Sequence, residues 1–472
     1  MKSEIIRIHN AYKNGSLTFE QALIDVRKKM ISNKSLNSVI TDTTLRNLEY
    51  INKLSTKNIN DNLLYGITYS LKDNITVNTV NTTGGSQFLE NYCPSFNATC
   101  YELLNKQEAL LVSKDNMDEF GLGGTGTYSY YGIVKNPYDD SRASGGSSSG
   151  SVANVALGIS TFAIATDTGD SIRRPASFCG VVGYKPTYGL ISRYGVLPYA
   201  PSMDHVGVVS KYVADAVIVA STIIRFDQKD FASCSKDVNV KLNNLHSLQK
   251  INFVVIKNLI DLLEPQIKQQ FLSTIKSLEN QGHEIKYYDI DANVLKMSQI
   301  IYRALSYSEA FSCYSNMQGI TFGKNIAKDG DSYETMLFKN RTNNFGNELK
   351  RRFVIGSYLT NAQNFEPVYL KAKKIRTALI NVQSELLKKG DCILMPSASS
   401  IAPKIEEAIS KGNMVDDLLV LSNFSGAPSI TIPWIKIDGL PVGLNITCDL
   451  FEDMKVFNIA YTLENILGGS DE

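Results

Sequence analysis

Two short stretches of this chain carry enough serine and glycine to build the surroundings of a nucleophile. Residues 143–151 read ASGGSSSGS, and residues 166–175 read TDTGDSIRRP. On composition alone the first would pass for a flexible linker. Its flanks argue for a site: it opens directly into a short apolar helix, Val152–Leu157, which leads to the strand-like STFAIATDT and then to the second turn. A helix of about two turns rises ~12 Å, and a strand of about seven residues returns ~23 Å. Ser147 and Ser171, 24 positions apart, are therefore able to meet. The first turn also ends at a helix N-terminus, whose free N–H groups suit a developing negative charge.

A serine nucleophile needs a base. Of the four histidines, His9, His246 and His283 lie in helical or polar segments remote from both turns, and His205, in SMDHVG, reads as a histidine hydrogen-bonded within a turn. Lysine is the usual substitute. SLKDNI supplies Lys72, just after the apolar Tyr69 and Leu71. Taken alone, Lys72 reads as a surface lysine; beside two serine turns it is the available base. It would have to be neutral at working pH, which means lowering its pKa from about 10.4 towards 7, a change of ~4 kcal/mol. Burial beside hydroxyls rather than carboxylates imposes such a shift. Asp73 would point to the other side of the strand and so need not pair with the amine.

The elements that must hold these residues are legible in outline. The first ~55 residues read as helical: Ile5, Ile6, His9, Ala11 and Tyr12 begin an amphipathic pattern, and SLTFEQALIDVRKKM is a second helix capped by Ser16 or Thr18. From LLYGITYSLKDNI onwards, strand-like runs end in Gly and Asn turns. ATCYELLNKQEALLVSK predicts a helix followed by a strand, residues 211–225 an apolar helix, and KINFVVIKNL a buried strand. Residues 263–283 and 285–290 repeat the alternation, 296–380 look helical and polar, and DCILMPSAS and APSITIPW return to strands. With no internal repeat, this pattern predicts one large α/β unit over residues 1–472.

Bulk properties bound the function. The 472 residues are 43% hydrophobic and 20% charged, ordinary for a soluble globular chain. A net charge of +1 creates no global field towards nucleic acid or an anionic membrane. Seven scattered cysteines without a CxxC pair fit reduced thiols in a cytosol-like compartment rather than a disulfide framework or a zinc site. The first residues lack the apolar core of a secretory signal, and no uninterrupted apolar run approaches a membrane span.

The segments GITYSLKDNI, TTGGSQFLENY, SKDNMDEFGLGG, ASGGSSSGSVA, TDTGDSIRRPASFCGVVGYKPTYGLISRYG and SMDHVG, in that order, resemble the motifs of the amidase signature family. The likeness covers roughly residues 60–465, and the N-terminal helices over residues 1–55 are also similar. It implies the family's α/β fold, a large mixed twisted sheet sandwiched between helices. It also implies a Ser–cis-Ser–Lys triad: Ser171 as nucleophile, Ser147 as a relay on a cis peptide bond, Lys72 as base. Backbone N–H groups of Thr168, Gly169, Asp170 and Ser171 would form the oxyanion hole, with Arg173 and Pro175 stiffening the loop. The chain departs from the family at Asp170, where relatives usually carry glycine, and at Ser149. Asp170 would tolerate positive φ poorly, and its carboxylate opposes an oxyanion unless it points away.

Order, spacing and tail are most similar to the glutamine-hydrolysing subunits of tRNA-dependent amidotransferases. That resemblance implies glutamine as substrate, its α-amino and α-carboxylate groups held by Tyr302, Arg352 and Asp416. Arg351 and Asp417 are adjacent, so each of the last two assignments is open by one position. Asn316 and Gln318 stand where relatives commonly carry Arg and Asp. The resemblance implies no cofactor in this chain, in keeping with the lack of a G-x-x-x-x-G-K-[ST] match; ATP and Mg would be used by a partner subunit. Partners would be the B and C subunits of the amidotransferase in a heterotrimer, with tRNA contacted through the complex and no membrane. The setting would be a bacterial cytoplasm, a mitochondrial origin being left open. The alternatives are a stand-alone amidase on another small amide and a catalytically weak scaffold subunit.

Overall fold

Side chains alternate along the strands, but both sets are buried. In Phe162–Asp167, Phe162 and Ile164 join one hydrophobic core and Ala163 and Ala165 another. In Asn252–Ile256, Phe253 and Val255 join the first core, and Val254 and Ile256 a third. Period-two alternation with both faces apolar requires a sheet covered on both sides.

The computed structural model describes residues 1–51, 54, 59, 62–411 and 419–468. Its strands are β1 Val39–Asp42, β2 Thr68–Lys72, β3 Leu110–Asp115, β4 Lys135–Asn136, β5 Asp139–Ala143, β6 Phe162–Asp167 and β7 Val182–Lys185. There follow β8 His205–Ser210, β9 Asn252–Ile256, β10 Glu284–Tyr288, β11 Cys392–Pro396, β12 Ser429–Ile437 and β13 Leu440–Thr447. Eleven of them form one sheet in the order β1-β3-β2-β6-β8-β7-β12-β13-β11-β9-β10, and β4 and β5 pair as a separate ribbon. The sheet is mixed: β2 is parallel to both β3 and β6, whereas β6, β8, β7, β12 and β13 run antiparallel in turn.

The apolar helix expected at 211–225 is Val213–Ile223, packed on β8. Helices Ser149–Ala156 and Arg173–Cys179 cover other parts of the sheet. The polar helical stretch resolves into Ala292–Tyr314, Tyr333–Asn344, Asn347–Thr360 and Lys371–Leu387. At the N-terminus, Thr18 rather than Ser16 caps Phe19–Ser32, in a reciprocal pair with Gln21. The first 55 residues are not wholly helical, because β1 joins the sheet edge antiparallel to β3. Its four residues, VITD, are β-branched enough to pair but too few to display a period between two helices. All seven cysteines are free thiols. Among the described residues no helix is long and apolar enough to cross a membrane.

Candidate active site

Strands β2 and β6 are parallel neighbours, with Leu71 opposite Ile164, so their carboxyl ends open on the same edge of the sheet. That edge is where open α/β sheets place ligands. Lys72 is the last residue of β2, and β6 runs directly into the turn that holds Ser171. The serine-rich turn before helix Ser149–Ala156 meets it: the Ser148 N–H donates to the Ser171 carbonyl at 3.2 Å. The Gly146–Ser147 peptide is cis. Lys72, Ser147 and Ser171 are all buried.

Lys72 has none of the surface character an isolated lysine would have. Its Nζ lies 2.7 Å from Ser147 Oγ, 3.1 Å from Ser148 Oγ, 2.9 Å from Thr166 Oγ1 and 3.3 Å from the Thr166 carbonyl. Burial drives its pKa down to about 7, against the pull of Asp118, Asp167 and Asp204, none of which makes an ion pair with it. Asp73, in the turn just after β2, does not contact the amine and pairs instead with Lys114 at 2.8 Å. Among the described residues two other lysines are equally buried. Lys114 is spent on Asp73, and Lys185 donates to the carbonyls of Pro186, Ser422 and Ala427. Among these three buried amines, Lys72 alone rests mainly on hydroxyls.

The turn after β6 is held from below by Arg173. This fully buried guanidinium pairs with Asp167 at 3.0 Å and donates to the Gly169 carbonyl at 2.8 Å. It also reaches Asn423 Oδ1, Ser422 Oγ and the Leu419 carbonyl at 2.6, 2.7 and 2.9 Å. The Asp167 carboxylate also accepts the Ile172 N–H, and Arg173 holds its pKa well below the usual carboxylate range despite burial. Because Arg173 takes the Gly169 carbonyl, the Asp170 N–H of the same trans peptide points the opposite way. The departure at Asp170 is accommodated. Its φ is not positive, and its carboxylate turns to Arg174 at 2.6 Å. Pro175 lies in the first turn of helix Arg173–Cys179, where the missing N–H is tolerated.

The expected substrate residues come from the helical layer. Tyr302 is buried against the nucleophile turn: a methyl group at Gly169 would lie 2.9 Å from its ring. Burial, followed by the neighbouring Tyr199, raises its phenol well above the usual range. Of the adjacent arginines, Arg352 points inward and is fully buried, whereas the Arg351 side chain is 57% exposed. Arg352 donates Nε to Glu348 at 2.9 Å, Nη1 to the Tyr199 hydroxyl at 3.2 Å and Nη2 to the Gly123 carbonyl at 3.1 Å. Burial works against its charge, but Tyr199, Tyr307 and Glu348 raise its pKa all the same. Asp416, like Asp417, lies outside the described residues.

Several neighbours escaped the sequence reading. Asp204, inside the quoted SMDHVG, accepts from Thr168 Oγ1 at 2.7 Å and from the Tyr199 and Ala200 N–H groups, tying the nucleophile turn to the tyrosine beside Arg352. Asp118 gathers the Gly124, Gly126 and Tyr128 N–H groups of the loop beside Ser147. Both are acidic residues inside motif segments, a signal that was available. Asn423, 250 positions from Arg173, offered none. His205 is the first residue of β8 rather than a turn residue; its Nδ1 lies 2.7 Å from the Met203 carbonyl, and burial lowers its pKa well below the usual range. Among the described residues no His, Cys, Asp and Glu cluster could hold a metal ion.

A family model described as Amidase matches residues 23–457. The A subunit of the glutamyl-tRNA(Gln) amidotransferase from Mycoplasma genitalium is 44% identical, over 99% of each chain. Its counterpart of the same name from Sulfolobus acidocaldarius is 34% identical, over 96% of each. The crystal structure of the glutamyl-tRNA(Gln) amidotransferase A subunit from Thermotoga maritima has a TM-score of 0.77 at 29% identity, covering 96% of this chain and 95% of that one. A peptide amidase from Stenotrophomonas maltophilia shares the fold, with a TM-score of 0.82 at 23% identity, covering 99% and 97%.

Proposed function

The chain belongs to the amidase signature family, and from that premise we propose that it is the glutaminase component of a tRNA-dependent amidotransferase. Relatives named for that enzyme match it over nearly their whole length. Ser171 attacks the carboxamide carbon of glutamine, and its proton passes through Ser147 to the Lys72 amine. Backbone N–H groups of Thr168, Gly169, Asp170 and Ser171 stabilise the oxyanion. Collapse of the tetrahedral intermediate expels ammonia, which takes back that proton through Ser147. Water then hydrolyses the acyl-enzyme to glutamate by the same route. The observation that carries this reading is an amine free of any carboxylate ion pair 2.7 Å from the Ser147 hydroxyl.

Tyr302, Arg352 and Asp416 would hold the amino-acid end of glutamine. Arg352 has five N–H donors and uses three of them in the contacts above. The remaining two, one on each Nη, suit a carboxylate. The ammonia would serve the B subunit, a partner that with ATP and Mg converts Glu-tRNA(Gln) to Gln-tRNA(Gln), with the C subunit completing a heterotrimer in a bacterial cytoplasm. One sheet drawing strands from Val39 to Thr447 supports reading residues 1–472 as a single domain.

The test is ammonia release from glutamine by the chain alone and co-purified with the B subunit. Strong dependence on the partner supports the amidotransferase; full activity without it supports a stand-alone amidase. A Ser171→Ala complex that hydrolyses glutamine at the parent rate would leave only a scaffold role.

A further inference from the structure

The polar neighbours of Lys72 do not have interchangeable roles, because Ser148 and Thr166 have partners of their own. Ser148 Oγ gives its own proton to the Thr166 carbonyl at 3.1 Å, so towards the amine it only accepts. Thr166 Oγ1 receives an N–H from the Asn74 amide at 3.0 Å, and its remaining lone pair and its proton both face the amine at 2.9 Å; accepting from Lys72 is the arrangement that leaves Ser147 to donate. A neutral amine has two N–H donors and one lone pair. With the donors directed to Ser148 and Thr166, the lone pair is left for the remaining hydroxyl, Ser147 Oγ at 2.7 Å. All four of these partner residues are buried, so water does not compete for the amine.

From this count we infer that Ser148 and Thr166, the latter backed by Asn74, are positioning residues that aim the lone pair of Lys72 at Ser147. The inference rests on Lys72 being the base. Ser148 and Thr166 act through Lys72, and Asn74 acts through Thr166. The protonated amine uses all three hydroxyls as acceptors, whereas the neutral amine uses two. Thr166 accepts from both forms, but a hydrogen bond from the cation is the stronger, so removing the Thr166 hydroxyl destabilises the cation more than the amine and lowers the pH at which Lys72 protonates. It also frees the lone pair to turn from Ser147.

The test follows covalent labelling of Ser171 in the full chain by a sulfonyl fluoride, with the rate read by intact mass across pH. In the parent the rate should fall as pH drops through about 7, where Lys72 protonates. In Thr166→Val the plateau should fall by about tenfold or more, and the acid limb should move to lower pH by about one unit. Ser148→Ala should shift the limb the same way, and Thr166→Ser should restore both plateau and limb. If Thr166→Val does not fold, Asn74→Ala and Ser148→Ala carry the comparison. A limb lost in Lys72→Met but unmoved in the Thr166 and Ser148 variants overturns this inference alone. A limb that persists in Lys72→Met overturns the role of Lys72 and the inference with it.

Discussion

The turns at the carboxyl ends of β2 and β6 and the helical layer over residues 292–387 are built to different standards. In the first, each functional side chain is held by several buried partners: Lys72 by three hydroxyls and a carbonyl, the nucleophile turn by Arg173 and Asp204. In the second, Tyr302 and Arg352 are buried, yet the same layer turns Phe338, Val354 and Tyr358 outward at 71%, 70% and 63% exposure. The contrast separates two tasks. Proton transfer depends on tenths of an ångström, so the reacting groups sit on the sheet. Recognition of the substrate's far end is left to helices whose outer faces remain open.

The largest effects should come from the sheet side. Ser171→Ala and Lys72→Met should each lower kcat for ammonia release by at least ~10³-fold, and the double variant little more, since residues acting as a unit are non-additive. A double variant that multiplies the two losses would break the unit. Next comes Arg173→Met, which strands the Asp167 carboxylate in the interior. Urea unfolding should show a loss of about 3–5 kcal/mol, and a loss below 1 kcal/mol would mean that the turn does not depend on this pair.

On the helical side, Arg352→Ala should raise KM for glutamine by roughly 100-fold, the range of a lost charge-assisted pair, with kcat changed far less. Arg351→Ala should leave both within about twofold, because its exposed pair with Glu348 contributes little. A larger effect at Arg351 would reverse the assignment. The pH profile returns to the sheet. Since the reactive form of Lys72 is the neutral amine and its pKa is about 7, kcat/KM should fall towards tenfold per unit as pH drops below that value. A profile flat down to pH about 5 would exclude an amine as base.

How much of this was legible follows the same division. The two turns, the lysine and the absence of a pair between it and Asp73 were readable because short contiguous segments carry them. The choice between Arg351 and Arg352 was not, since adjacent positions on a helix differ by about 100° and only packing selects the inward one. Asn423 and Arg173 are joined only by the fold, and β1 was hidden by its length. Asp416 stays an expectation.

Asp170 is where the sheet-side rule looks weakest, and there the smallest effect is expected. A carboxylate beside a forming oxyanion opposes it, which on its own would make Asp170→Gly the faster enzyme. Yet this carboxylate is held 2.6 Å from the Arg174 guanidinium, and both side chains are nearly buried, at 6% and 5% exposure. A compensated pair acts at a distance as a dipole, whose field falls off faster than that of a single charge. Glycine also keeps the N–H that would face the oxyanion. Asp170→Gly should therefore change kcat/KM by less than about threefold while lowering stability, because Arg174 loses one of its buried partners. Steady-state kinetics and urea unfolding on the same preparation separate the two effects. A tenfold gain in kcat/KM would show that the negative charge reaches the oxyanion despite Arg174, and that the catalytic turn is less insulated than its contacts suggest.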